Sequence, residues 1–497
     1  MIPVVLLGFA GARAAEPAPA PGDIVELTIT GAIQRAVERN PGLTILRLEP
    51  EFHEADALEE RAVFAPLFEM QFGFERVRAR DLSSSGILFD YRTQAYVGEA
   101  ALTQALPTGT SLVLGATSEV VDASRDGQQL VGARVGAVLS QSLLRGASRS
   151  ANLGLVAAAR LEARAAQWEA VVEAELLATL VEQAGWDHAL ALRKIAIYNE
   201  SLARAADQLA LVKSRVEAGA LAQDQVVAAE SEVALRRQEL VDARAELETA
   251  RALLGGYLDL YGREPVGPEL RVLADLEEVA AGPSALDVHV AAALGRRPEV
   301  MRAQVLLERG SVEVARARNG LRPRVDLFVA YNRTGYGEGT GSAWHRLGGD
   351  HSDVMYGAML EYAFGGRAER AEHRRALAGS RTAEAEAREA ERLAQFEVRA
   401  AHAEAVRARD KIAAVRATRV LDEEKERVER ERFDLGLASA FQVARAQRDL
   451  VERRIDEVTA MADYRKALAE LYRADGSLLE RHGVRLAGPG DPTPEGP

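Results

Sequence analysis

Cysteine is absent from the 497 residues. That removes disulfides, thiolate metal sites, cysteine nucleophiles and an N-terminal lipid anchor on Cys. Aromatic residues make up only 5% of the chain, low for a large mixed core, while charged residues reach 28%. An excess of basic charge is also missing: the net charge is -13 and the pI about 5.4, which argues against a nucleic-acid surface. No stretch after the N-terminus holds 18 uninterrupted apolar residues, so no membrane-spanning helix is expected, and any entry into a membrane has to be as a closed barrel. HExxH, GxSxG and the phosphate-binding P-loop pattern do not occur, and the eight histidines are scattered. An enzyme, a cofactor and a bound metal are therefore not expected.

What remains is a chain rich in Ala, Glu, Arg and Leu, the composition of long helices packed through small residues. The first residues, MIPVVLLGFAGARAAEPAPAPG, place a short apolar run (4–10) before Ala12-Arg13-Ala14 and a Pro/Ala spacer, a secretory-signal pattern.

The rest is written twice. Asn40-Pro41 and Ala65-Pro66 are matched by Arg297-Pro298 and Arg322-Pro323. LSQSLLRG (139–146) answers LEYAFGGR (360–367), and VEAGALAQDQVVAAESE (216–232) answers FDLGLASAFQVARAQRD (433–449). Each half reads as short helix, strands, long helix, glycine break and shorter helix. The proline-free stretches from 147 to 216 and 368 to 434 predict helices of about 100 Å at about 1.5 Å per residue. Such helices are stable only if packed along their length. Val398, Ala401, Ala405, Ala408, Ile412 and Val415 supply a heptad seam for that packing.

Up to four strands are offered by the first half (67–78, 93–106, 110–121, 130–143) and two by the second. One face is wholly apolar: Phe68/Met70/Phe72/Phe74, Val131 to Leu139, Val325 to Tyr331, and Val354 to Tyr362. The opposite face carries Glu69, Glu75, Arg134, Asp326 and Glu361. Apolar outside with charge inside is the pattern of a membrane barrel with a wet lumen, and each run is long enough to cross a bilayer at a tilt. Whether the central hairpin through LPTGTS (106–111) enlarges the barrel or caps it is open at this stage. Long polar loops at 79–90, 119–130 and 333–353 read as external. The glycines at 335, 337, 339 and 341 lack the Lys-Ser/Thr and following helix of a phosphate loop. His345, Asp350, His351 and Asp353 are more simply exposed loop residues than metal ligands.

From about Ile24 to Val484 the chain resembles the TolC-like outer membrane efflux protein family. The resemblance rests on the ordered set AIQRAVERNPGL (32–43), the Pro-then-strand signal at 64–74, GTSLVLG (109–115), QSLLRG (141–146), the glycine tips and the doubled layout. It implies an internally duplicated mixed α and β membrane protein, in which a transmembrane β-barrel continues into a long α-helical coiled-coil barrel in the periplasm of a homotrimer. It implies an outer-membrane location, and a passive exit duct of a tripartite efflux or type I secretion system. A periplasmic adaptor would open the duct, an inner-membrane pump would work through that adaptor, outer-membrane lipid would surround the barrel, and no nucleic acid would be bound.

On that plan 1–14 is a signal peptide, 15–27 a Pro/Ala-rich linker, 28–66 a short helix, 67–145 strands and external loops, and 146–258 a helical hairpin with its tip near 216–224. An equatorial linker (259–284) follows. The second copy is 285–323, 324–366 and 367–475 with its tip near 433–441, and 476–497 is a tail. The resemblance makes Gly219, Ala220, Leu221 and Ala222, with Gly436, Leu437, Ala438 and Ser439, the adaptor-docking tips. Asp224, Gln442 and Arg445 are candidates to line the aperture. Ser142 and Ala363 stand where the family often has proline, and Gln442 and Arg445 stand where some members carry an acidic ring. A soluble coiled-coil scaffold with a small β domain is the alternative reading.

Overall fold

The computed structural model describes residues 24–82, 88–123, 129–260, 269–277 and 282–486. The expected signal peptide, most of the linker after it and parts of two external loops lie outside these residues. In chain order the elements of the first copy are β1 (Ile24–Thr28), α1 (Ile29–Arg39), α2 (Pro41–Ala62), β2 (Leu67–Leu82), β3 (Leu88–Ala105), β4 (Thr110–Ala123), β5 (Gln129–Ser142), α3 (Arg149–Asn152), α4 (Gly154–Glu217) and α5 (Asp224–Tyr257). The second copy supplies β6 (Glu269–Leu273), α6 (Leu286–Arg296), α7 (Pro298–Gly320), β7 (Arg324–Gly337), α8 (Thr340–His345), β8 (Ser352–Glu361), α9 (Arg367–Asp434), α10 (Ala440–Ala474) and α11 (Leu478–Arg481). Each expected short helix is in fact two. Asn40 and Arg297 end one helix, and the proline that follows starts the next at the position where a missing N–H costs nothing.

The chain divides into two compact units. The unit formed by Glu49–Ala166 and Ala303–Ala387 holds one antiparallel sheet in the order β2-β3-β4-β5-β7-β8. All four first-half strands therefore join one sheet with the two of the second half. Among the described residues the sheet is open: one chain forms no closed barrel, and β2 and β8 are its edges. The register places Phe68 opposite Leu102, Leu102 opposite Leu114, Leu114 opposite Ala137, Ala137 opposite Tyr331 and Tyr331 opposite Val354, one apolar row across all six strands. Phe72 and Tyr356 on this face are 79% and 80% exposed. The opposite face pairs Arg134 with Asp353 at 3.2 Å.

One part of the apolar face is not free. Val131 and Ala133, expected to look outward, are buried beneath Ala343 of α8 and Leu347. The glycines of the 335–341 run make this seat possible. A Cβ at Gly335 would lie 2.2 Å from the Ala343 carbonyl oxygen, and one at Gly337 would lie 2.2 Å from Ser342 Oγ.

The 106–109 turn between β3 and β4 is bound to the strand-to-helix junction. Ser142 N–H donates to the Gly109 carbonyl at 2.9 Å. Thr110 Oγ1 donates to Gln141 Oε1, and Asn152 Nδ2 donates to the carbonyls of Pro107 and Gly146 at 2.8 and 2.6 Å. A proline at 142 would lack the N–H that closes the first of these bonds. The bond to the β3–β4 turn thereby accounts for a residue other than proline at this position.

The other unit comprises residues up to Leu48, Gln167–Arg302 and the chain from Arg388. Two segments expected to be linkers carry strands here: β1 and β6 pair in parallel, Ile24 opposite Glu269 through Thr28 opposite Leu273. The expected tail likewise contains α11. The pair packs into a core with Ile33 and Val37 of α1, Val181, Trp186 and Leu190 of α4, and Leu254 and Leu258. A second core holds the heptad seam, with Val398, Ala405 and Ala408 buried against Tyr464, Leu468 and Leu471 of α10.

Glu175 of α4 is 6% exposed. Burial, reinforced by the neighbouring carboxylates Glu299 and Asp475, raises its pKa to about 8. A carboxyl whose folded pKa lies above its unfolded value contributes full stability only below about pH 4.5 and loses it as pH rises toward 8. Glu175→Gln is therefore expected to flatten the fall in stability over that window, by on the order of 3 kcal/mol relative to the parent. Thermal unfolding of both proteins at intervals from pH 5 to 9 checks this. Parallel pH curves would remove Glu175 as the cause.

Candidate functional site

The two glycine breaks have the same backbone. α4 ends at Glu217 and α9 at Asp434, and Gly219 and Gly436 follow with φ of 74° and 75°. At the first, Gly219 N–H donates to the Val216 carbonyl at 2.9 Å and Ala220 N–H to that of Arg215 at 2.8 Å. At the second, Gly436 N–H donates to the Phe433 carbonyl at 3.0 Å and Leu437 N–H to that of Arg432 at 2.7 Å. Both are Schellman endings, in which two carbonyls of the last turn are satisfied and the chain reverses. A Cβ at either glycine would meet nothing within 4 Å. The left-handed backbone, rather than crowding, is what calls for glycine there.

The helices that leave the turns start differently. Ser439 caps α10 in a reciprocal box: Gln442 N–H donates to Ser439 Oγ at 3.3 Å, and Ser439 N–H donates to Gln442 Oε1 at 2.8 Å. Asp224 lies in the first turn of α5, where its charge favours the helix start. Asp224, Gln442 and Arg445 are all exposed, but the Gln442 side chain is committed to the cap.

The tips are packed against each other. Val212, Val226, Ala229, Phe433, Ala440 and Val443 form a buried cluster, with Leu221 and Ala438 partly buried against it. Arg215 lies 4.6 Å over the Phe433 ring, donates to the Phe433 carbonyl at 3.3 Å and pairs with Asp434 at 3.1 Å. Higher on the hairpins a buried charge network joins α5 to α10. Arg236 pairs with Glu232 at 2.6 Å and Glu239 at 2.7 Å, and Arg448 reaches Glu232 at 2.7 Å.

Outwardly the two tips are unlike. Gly219, Ala220 and Ala222 are exposed while Leu221 turns inward. The second tip presents Leu435, Leu437 and Phe441, exposed by 75%, 68% and 60%. Leu435 and Phe441 were not among the residues singled out from sequence. Their position immediately around Gly436 was the available signal. Among the described residues no group of His, Asp and Glu is placed to hold a metal ion. What the site offers a partner is shape and apolar contact.

Residues 290–477 match the family model described as outer membrane efflux protein. Solved structures share the fold. A membrane protein from Pseudomonas aeruginosa aligns over 94% of this chain and 99% of its own, at 21% identity and a TM-score of 0.65. The outer membrane protein VceC from Vibrio cholerae aligns over 90% and 96%, at 15% identity and a TM-score of 0.65. The open state of the Neisseria gonorrhoeae MtrE outer membrane channel aligns over 90% and 89%, at 16% identity and a TM-score of 0.62. A search of curated protein sequences finds no match. Residues 290–477 are thus similar to the outer membrane efflux protein family, and the fold as a whole is the one these solved structures share.

Proposed function

We propose that this protein is the outer-membrane exit duct of a tripartite efflux or type I secretion system. It acts as a passive conduit built from three copies and opened at its hairpin tips by a periplasmic adaptor. The observation that carries the reading is the two-faced sheet: one predominantly apolar face, largely exposed, backs a face that carries Glu69, Arg134 and Asp353. In water such a face would aggregate. Against hydrocarbon it is satisfied, and the polar face then lines a wet lumen. The duct performs no covalent chemistry. Transport down it needs only an open path, and the pump supplies the energy.

The paired tips suit a two-state element. The Phe433 cluster and the Arg215–Asp434 pair hold them together, and a partner that binds the parted arrangement more tightly shifts the balance. The apolar residues around Gly436 and the small residues after Gly219 form the docking surface. In a cell whose export depends on this duct, Gly219→Val, Gly436→Val and the pair Leu437→Asp/Phe441→Asp are each expected to reduce export at least tenfold. Trimers should remain in the outer-membrane fraction. Normal export by the aspartate variant would overturn docking at the second tip. A chain released by low-salt lysis without detergent would overturn the duct itself and favour the scaffold.

A further inference from the structure

We propose that the groove between α2 and the start of α4, roofed by the β3–β4 turn, binds an anionic phospholipid of the membrane leaflet that faces the periplasm. Arg61, Arg149 and Arg160 hold its phosphate, and the apolar floor takes the first part of an acyl chain. The inference rests on the duct reading above, which puts this end of the sheet at the membrane surface.

Helical spacing builds the groove. Leu58, Arg61 and Ala62 stand three and four residues apart and share one side of α2. Leu153, just before α4, lies on one side with Ala157 and Arg160 by the same rule, and Arg149 comes one turn earlier on α3. Pro107 closes the top from the β3–β4 turn. Asn152 donates to its carbonyl at 2.8 Å, so the roof is tied to the helix start. The groove has a volume of about 670 Å³. That is within the range of about 300–1,000 Å³ common for ligand sites. Its lining is of two kinds only: eight residues are Ala, Leu, Val, Phe or Pro, and the other three are arginines.

The arginines are what the fold leaves unanswered. All three are exposed, and none has a carboxylate or other hydrogen-bond partner among the described residues. Other arginines of the same unit are paired: Arg145 with Glu361 at 3.1 Å, Arg309 with Glu162 at 2.9 Å and Arg316 with Glu372 at 2.9 Å. α2 itself is acidic from 49 to 60, yet none of those carboxylates lines the groove. Three uncompensated positive charges beside an apolar floor fit a ligand made of the same two parts. A guanidinium matches a phosphate in shape as well as charge. Free phosphate would answer the charges and leave the floor wet. A lipid with no net charge would cover the floor and leave the charges uncompensated.

The position selects a membrane lipid as the source. Ala65 of the lining lies two residues before Leu67, where β2 begins. Leu67 and Phe68 are 54% and 61% exposed at the foot of the apolar face. The groove thus adjoins the level at which hydrocarbon gives way to headgroups, where basic pockets hold acidic lipids. A lipid seated there touches α2, the turn and α4 together, and fastens the foot of the sheet to the helices.

The test uses the full chain, stripped of lipid in detergent and returned to nanodiscs of phosphatidylcholine alone or with about one fifth phosphatidylglycerol. Native mass spectrometry reads the lipid retained, and thermal unfolding reads its effect. The parent is expected to retain phosphatidylglycerol in preference to phosphatidylcholine and to unfold at a higher temperature with it. Retention should fall at least tenfold in Arg61→Gln/Arg149→Gln/Arg160→Gln. It should fall as far in Ala157→Phe, which fills the groove and removes no charge. Arg145→Gln/Arg309→Gln/Arg316→Gln removes the same charge outside the groove and should retain lipid as the parent does. Unchanged retention in the first triple variant, or an equal loss in the second, would overturn the site. Loss in the arginine variant but not in Ala157→Phe, or displacement of the lipid by excess inorganic phosphate, would make it an anion site and overturn the lipid. A folded chain that does not fractionate with the outer membrane would overturn the duct reading instead.

Discussion

Arg236→Ala is expected to destabilise the helical hairpins by about 3–5 kcal/mol, the cost of leaving one side of a buried ion pair unpartnered. The Arg236 side chain is 2% exposed and the Glu232 side chain 5%. Glu232 accepts from Arg236 through one carboxylate oxygen and from Arg448 of the partner hairpin through the other. Without the guanidinium, Glu232 keeps a single cation, itself half exposed, and Glu239 loses its partner. The network lies twelve residues beyond the start of α5, about 18 Å along the helix at about 1.5 Å per residue. Its loss should loosen the hairpins just behind their tips. The readouts are a lower thermal midpoint by circular dichroism in detergent and faster proteolysis near 219 and 436. Arg236→Leu combined with Glu232→Leu separates the two sources of the effect. If the cost is that of an orphaned charge, the double variant recovers most of the stability. If it stays as unstable as Arg236→Ala, the network contributes through geometry that leucines cannot replace.

Gly109→Val is expected to have the largest effect in the unit that holds the sheet. Gly109 has a φ of 81°, where a β-branched residue is strongly disfavoured. A Cβ there would lie 2.2 Å from the Gly146 carbonyl oxygen and 3.2 Å from the Ser142 Cβ. Both contacts are with the junction that launches α3 and α4, so valine cannot be fitted without moving either the β3–β4 turn or the start of the helix. The turn would lose the Ser142 bond to the Gly109 carbonyl. On the proposed duct reading, the expected outcomes are a severalfold loss of assembled protein in the outer-membrane fraction and a lost resistance of the assembly to detergent. Gly115→Val is the control, because a Cβ at Gly115 meets nothing within 4 Å in a strand that favours valine. Equal behaviour of the two variants would refute the turn as an anchor.

Much of this architecture is written in local pattern. Alternation marked Phe68 to Phe74 and Val325 to Tyr331 because side chains on a strand point to opposite faces, so a two-residue period is already a statement about two environments. The heptad at Val398 to Val415 marked its own seam because helical spacing sets which residues share a side. Gly219 and Gly436 were legible because a left-handed backbone selects for glycine wherever it occurs. Proline after Asn40 and after Arg297 marked a break, although the sequence reading kept one short helix in each place where the chain makes two.

What local pattern could not carry were contacts between residues far apart in the chain. The parallel pairing of β1 with β6 joins residues 245 positions apart. Neither short segment has a period long enough to stand out from a linker. The burial of Val131 and Ala133 depends on a loop helix more than two hundred residues later, so an alternation that reads as outward-facing is locally correct and globally incomplete. Ser142 in the place of a proline is opaque until the Gly109 carbonyl arrives to accept its N–H. The asymmetry of the tips, with Leu221 turned inward and Leu437 outward, arises from the Phe433 cluster and not from either turn. The sequence by itself determined which faces are apolar, where the helices reverse and that the plan is repeated. Only the tertiary structure decided that six strands form one sheet with two bare edges. Strand pairing is made by backbone groups that every residue carries, so nothing in side-chain order names the neighbour.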